Sequence, residues 1–315
     1  SDDSELKKNN TNDYVFLNEQ TKETSDYEIK NYIEKPLSDE TLWVNNYFKS
    51  DKYFLIDNEG NGDCFFAVVR DALKSSNITK YLNISVKDIR NNLAKEIDEY
   101  IYNYYKELYS FYYDTSTKAK TEVLEYTKNH NIFKKVITST KNKESLISEA
   151  KDNLTLLSNS KEKYKESANI INEFKFMDGV NNIEDLRDKV RELGNTYWAD
   201  AWAISMLEYI YNIKFLIFSK DHYLKDDVDN VLQCFDLNKK ILDKKIFQPD
   251  FYILFDYSTD LHYKLIGYDK NIKKKIFTFK EIPYKIKEIV LNKCMEHHSS
   301  GFYLIPEFNN FAREN

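Results

Sequence analysis

The stretch Asp57-Asn58-Glu59-Gly60-Asn61-Gly62-Asp63-Cys64-Phe65-Phe66 gathers reactive residue types in a chain that is otherwise sparing with them. Six glycines and three cysteines occur in 315 residues, and Gly60 and Gly62 sit just before Cys64. The apolar run after Cys64 has helical character, so the cysteine opens a helix over about 64–74. There the helix dipole and free backbone N–H groups favour a thiolate over a thiol. The N–H groups can also face an oxyanion. The competing reading is a turn leading into a core helix with a buried, inert cysteine.

A cysteine nucleophile needs a base, and the chain offers five histidines. His130 lies in a charged helical stretch, His222 in a loop beside Asp221, and the pair His297-His298 lacks other obvious metal ligands. His262 alone opens a strong strand, directly after the polar turn Ser258-Thr259-Asp260. A strand-opening residue sits at a sheet rim on a fixed backbone, a good place to meet a cysteine from a distant segment. Cys64 with His262 is therefore the candidate nucleophile–base pair.

Cys234 and Cys294 read as packing positions. No Cys-x-x-Cys occurs, so neither a zinc site nor a disulfide framework is expected, and a reducing compartment follows. No metal or other cofactor is implied. Formal net charge is −6, which gives no reason to expect nucleic-acid binding, and the short basic run Asn271 to Lys275 reads as a solvated hairpin turn. No apolar run is long enough to span a bilayer. No secretory signal pattern opens the chain; it begins at Ser1 rather than Met, so an address upstream would not be seen.

The elements that must position the pair follow from hydrophobic patterning. Residues 1–40 are polar and read as a mobile leader, with a single domain over 41–310. Lys52 to Asp57 reads as a short strand running into the glycine loop. Ser85 with Asp88 makes an N-cap for a helix continuing to Tyr113. From Thr117 to Met177 the pattern stays helical, with breaks expected near Thr138–Ser145 and Ser158–Ser160. The region of about 95–177 either covers the core or projects as an arm that grips a partner. Ala201–Tyr211 reads as a helix. Strands are expected over Ile213–Ser219, Phe251–Tyr257, His262–Tyr268 and Lys275–Phe279, then a helix from Pro283 to Cys294. The fold class is α+β, with a mixed or antiparallel sheet.

Four segments carry a resemblance. Asn61–Leu73 resembles the cysteine loop of the OTU (ovarian tumour) family of cysteine proteases, whose common form is Asp-Gly-x-Cys-Leu-Phe. Ser85–Ala94 resembles the helix that follows it, Tyr197–Ser219 the family's Trp-containing helix and central strand, and Leu261–Tyr268 its His-aromatic strand. They appear in the family's order and cover most of the chain beyond residue 50. The resemblance implies a papain-like fold with a helical insertion, and isopeptide hydrolysis that removes ubiquitin from lysine side chains. It makes ubiquitin or polyubiquitin the partner. It also assigns Cys64 as nucleophile, His262 as general base, Trp198 as a structural residue near the floor of the site, and the backbone of Asn61 to Cys64, with Gly62 and Asp63, as the oxyanion loop.

Two departures matter. The family's Asp three residues before the cysteine is Asn61 here, and the position two after the histidine, often Asp or Asn, is Lys264. The group that orients the imidazole is therefore open among Asp200, Asn61, Asp57 and Asp260. Asp200 is favoured, then Asn61, although Asp200 is also well placed to cap a helix. Loss of both usual acids keeps a catalytically weak ubiquitin-binding pseudoenzyme or a helical interaction module as alternatives. A composition rich in Asn, Lys, Ile and Tyr suggests an AT-rich genome, such as that of an intracellular bacterium or large DNA virus, and a cytosolic site of action, in that case in a host cell.

Overall fold

A computed structural model of the chain describes residues 14–38, 42–139, 141, 143–295 and 301–315; the His297-His298 pair falls outside them. The chain divides into two compact units, one of Ile97–Lys189 and the other of the chain on both sides of it.

The flanking unit is built on a mixed sheet. Among the described residues its strands are β1 (Tyr53–Ile56), β2 (Ile213–Ser219), β3 (Leu232–Gln233), β4 (Phe251–Ser258), β5 (His262–Asp269) and β6 (Lys273–Lys274). Their order is β1-β5-β4-β2-β3, with β6 paired to β5. β2 and β4 run parallel and the other pairs antiparallel. Every residue of β2 is buried, as its near-continuous apolar sequence requires of a strand covered on both faces. Its one charge, Lys214, pairs with buried Glu208 at 2.8 Å.

Each face of the sheet holds part of the core. Trp43, Phe48, Phe218, Tyr252, Leu254 and Phe308 belong to one cluster. On the face carrying the alternate residues of β2 and β4 lies the helix Cys64–Ser75. Phe65 anchors it, stacked on Phe255 at 4.6 Å and edge-on to Tyr263 at 5.0 Å and Phe215 at 5.4 Å. The helix Ala201–Tyr211 ends at Asn212, whose φ of 51° lets the chain turn directly into β2.

Several expectations are corrected. The leader does not run to residue 40 without structure: Lys22–Asn31 is a helix, Ser25 is buried, and the Tyr14 hydroxyl donates to the Glu281 carboxylate. The Ser85 helix does not continue to Tyr113. It spans Val86–Lys95, opened by a Ser85/Asp88 capping box, and Glu96 ends it. Asp98 then accepts the Ile101 N–H, and a second helix runs over Glu99–Ser139. No break occurs at Ser158–Ser160, because Ser160 turns inward and donates to Glu122 at 3.0 Å within a continuous helix, Glu144–Glu173. Lys275–Phe279 contributes only an isolated bridge, Phe277 to Tyr252. Cys234 and Cys294, expected as unlinked packing residues, form a disulfide that ties the loop after β3 to the turn Leu291–Met295.

The unit of Ile97–Lys189 is dominated by the two long helices Glu99–Ser139 and Glu144–Glu173. Their buried residues include Ala119, Asn153, Leu157 and Ser160, and Asn153 donates to the Tyr126 carbonyl at 2.9 Å.

Candidate active site

The cysteine loop is held by its backbone. Gly60 and Asn61 take left-handed φ values of 74° and 57°, and Asn61–Asp63 forms a single 3₁₀ turn that delivers Cys64 to the first position of its helix. Asn is among the few L-residues that accept this conformation readily, so Asn61 shapes the turn. Gly62 is required for a different reason. A Cβ there would come within 2.1 Å of the Gly194 carbonyl oxygen. Its N–H is already committed to Asn195 Oδ1 at 3.1 Å, so Gly62 is not an oxyanion donor in this state.

Asp63 is an anchor. Its carboxylate accepts from Arg90 Nε at 2.9 Å and from the Gly194 N–H at 2.9 Å. Arg90 is fully buried and also donates to the carbonyls of Gly62, Val190, Gly194 and Tyr197, with its guanidinium 4.3 Å from the Phe66 ring centre. One cation thus joins the cysteine loop to the segment 190–197. Sequence reasoning missed it. The signal was its place on the buried stripe Val86, Ile89, Leu93 of its helix, where an arginine must find several acceptors.

His262 opens β5, and its Nε2 lies 2.6 Å from Asp57 Oδ1. The β1–β5 pairing, with Ile56 opposite Leu265, brings the two together across 205 residues of sequence. Lys264 joins them, its Nζ 4.0 Å from Asp57 Oδ2. A lysine two residues after the histidine therefore accompanies an acid supplied by the neighbouring strand. Asp200, favoured from sequence, does not fill this place. It caps the helix Ala201–Tyr211, accepting from the Ala203 N–H at 3.0 Å and the Tyr197 hydroxyl at 3.1 Å. Asp260 takes a hydrogen bond from Ser258 Oγ at 2.6 Å and shapes the β4–β5 turn.

Cys64 is 1% exposed and lines a cavity of about 110 Å³ with Phe65, Trp198, Tyr257, Leu261 and Tyr263. Trp198 forms one wall, its indole N–H bonded to the Asn195 carbonyl at 3.0 Å. The Cys64 thiol donates to the Leu261 carbonyl at 3.5 Å. Burial raises its pKa, against the pull of the N–H groups of Tyr263, Phe65 and Cys64 itself. Hydrogen bonding from these N–H groups to the sulfur favours the thiolate. The structure thus brings the Cys64 sulfur to the Leu261 carbonyl, one residue before His262, and Asp57 to the imidazole, while Asp200, Asn61, Gly62 and Asp63 act on the loops around them.

No family model, characterised protein or solved structure matches the chain. No described helix is long and apolar enough to cross a membrane, and no cluster of three potential metal-ligating side chains occurs among the described residues.

Proposed function

We propose that the chain is a cysteine isopeptidase of the papain-like OTU type that removes ubiquitin from lysine side chains, working through Cys64, His262 and Asp57. The observation that carries this reading is the His262–Asp57 contact at 2.6 Å, beside a cysteine at a helix N-terminus whose sulfur lies against the backbone of the same strand end. Nε2 is committed to Asp57, so Nδ1 is the nitrogen left to take the Cys64 proton. The thiolate attacks the isopeptide carbonyl, and the N–H groups near the sulfur hold the oxyanion. The imidazolium returns its proton to the departing lysine amine, and water then cleaves the thioester.

A second reading, a ubiquitin-binding protein with weak or absent catalysis, draws on one observation: the thiol is buried and bonded to a carbonyl. A cytosolic setting, in a host cell if the source is an intracellular bacterium or virus, suits a ubiquitin substrate; the Cys234–Cys294 disulfide weighs against a reducing compartment. An irreversible ubiquitin-derived probe with a thiol-reactive end decides between the readings. A covalent adduct on Cys64 supports the isopeptidase, and reversible binding without an adduct supports the alternative.

A further inference from the structure

Leu261 is the last residue of the turn between β4 and β5, and it holds a φ of 58°. In hairpin loops of this length the left-handed place is usually glycine or asparagine. A leucine there is an outlier, and outliers of this kind cluster at functional sites. This one has two contacts with the nucleophile's surroundings. Its carbonyl accepts the Cys64 thiol, and its half-exposed side chain lines the cavity beside the sulfur.

The same backbone torsion sets both the direction of the Leu261 carbonyl and the start of His262. While the thiol donates to that carbonyl, its proton is bonded to Leu261 and not to the imidazole. Among the described residues the imidazole's hydrogen bond is to Asp57, and the thiol's is to Leu261. The carbonyl contact therefore holds a neutral nucleophile off its base.

We propose that the β4–β5 turn is a latch: at rest the Leu261 carbonyl holds the Cys64 thiol, and a flip of Leu261 out of the left-handed region frees it for His262. Resting on the isopeptidase reading, the natural trigger is the acyl-donor segment of the substrate, which must pass over the Leu261 side chain to reach the sulfur. Placing a leucine where glycine is preferred keeps the closed turn easy to open.

The test is the rate at which iodoacetamide alkylates Cys64 in the full chain under non-reducing conditions, read by mass spectrometry of the Cys64 peptide. Leu261→Val puts a β-branched residue where the left-handed conformation is most unfavourable, and should open the latch. Alkylation about threefold or more faster than in the parent is expected, from the extra cost that a β-branched residue adds to the one leucine already carries there. Leu261→Asn removes the apolar side chain and relieves the cost of the left-handed conformation, so the turn stays closed more of the time and alkylation should be slower than in the parent. Equal rates in all three proteins overturn the latch, and so does an Asn variant as fast as the Val variant, since that would make the side chain a mere cover. Turnover of a ubiquitin conjugate, measured in parallel, separates the two ideas. The predicted order of alkylation without turnover keeps the latch and removes the isopeptidase; turnover with equal alkylation does the reverse.

Discussion

The surroundings of Cys64 and the pair of long helices bury different things. Around Cys64 the interior is aromatic: Phe65 is sandwiched among Phe255, Phe215 and Tyr263, and a single buried arginine ties the loops together. Along the helical pair the buried positions include Ala119, Asn153, Ser160 and Ser167 beside Leu157, with register marked by polar bonds such as Ser160 to Glu122. Small residues let helices approach closely but bury little apolar area, so the same truncation should cost less there. The dense aromatic packing lies beside Cys64, on the helix that carries it.

That contrast can be broken first with cavities. Leu265→Ala, at a fully buried position opposite Phe255, should destabilise the sheet-bearing unit by about 4–5 kcal/mol, whereas Leu157→Ala should cost about 2 kcal/mol. Urea unfolding of both variants measures the difference, and equal costs would erase the contrast.

A second prediction sharpens it through pH. Asp256 on β4 is buried, and burial raises its carboxyl to about 7, partly offset by Lys220. A carboxyl raised in the folded state stabilises fully below its unfolded pKa, and the contribution is lost as pH climbs through the folded value. Parent stability relative to Asp256→Asn should therefore fall between about pH 4 and pH 7, by at most about 4 kcal/mol. Denaturant unfolding of both proteins across that window checks it, and a parent-to-variant difference that does not change with pH would contradict it.

The third prediction concerns the Cys234–Cys294 cross-link, which closes a 60-residue separation. Its reduction should cost about 2–4 kcal/mol. Thermal melts with and without a reductant read this directly, and the loss should fall on the transition that carries the sheet.

What was legible in the sequence was mostly local. The cysteine helix, β1, β2, β4 and β5 follow from apolar runs, and the start of the helix Val86–Lys95 from the capping pair Ser85/Asp88. Cys64 and His262 stand out because their flanking elements are short-range patterns. The rest depends on pairings that no local pattern encodes. Asp57 reaches His262 only through the β1–β5 register, so it ranked below Asp200, whose own pattern as a helix cap was equally visible. Arg90 was hidden by its neighbours, since five acceptors from two distant segments become one site only after folding. The helix through Ser158–Ser160 looked breakable because serine favours turns, yet Ser160 faces a partner helix that satisfies its hydroxyl.

The most direct measurement of the central claim is turnover of a ubiquitin isopeptide conjugate by Asp57→Ala and Asp200→Ala, compared at equal folded concentration. If Asp57 orients His262, its removal should lower kcat by about a hundredfold or more, because the imidazole loses the group that fixes its tautomer and direction. Asp200→Ala should cost about 1 kcal/mol of stability through the lost cap and less than about tenfold in kcat. A large loss in Asp200→Ala with Asp57→Ala close to the parent would contradict the account.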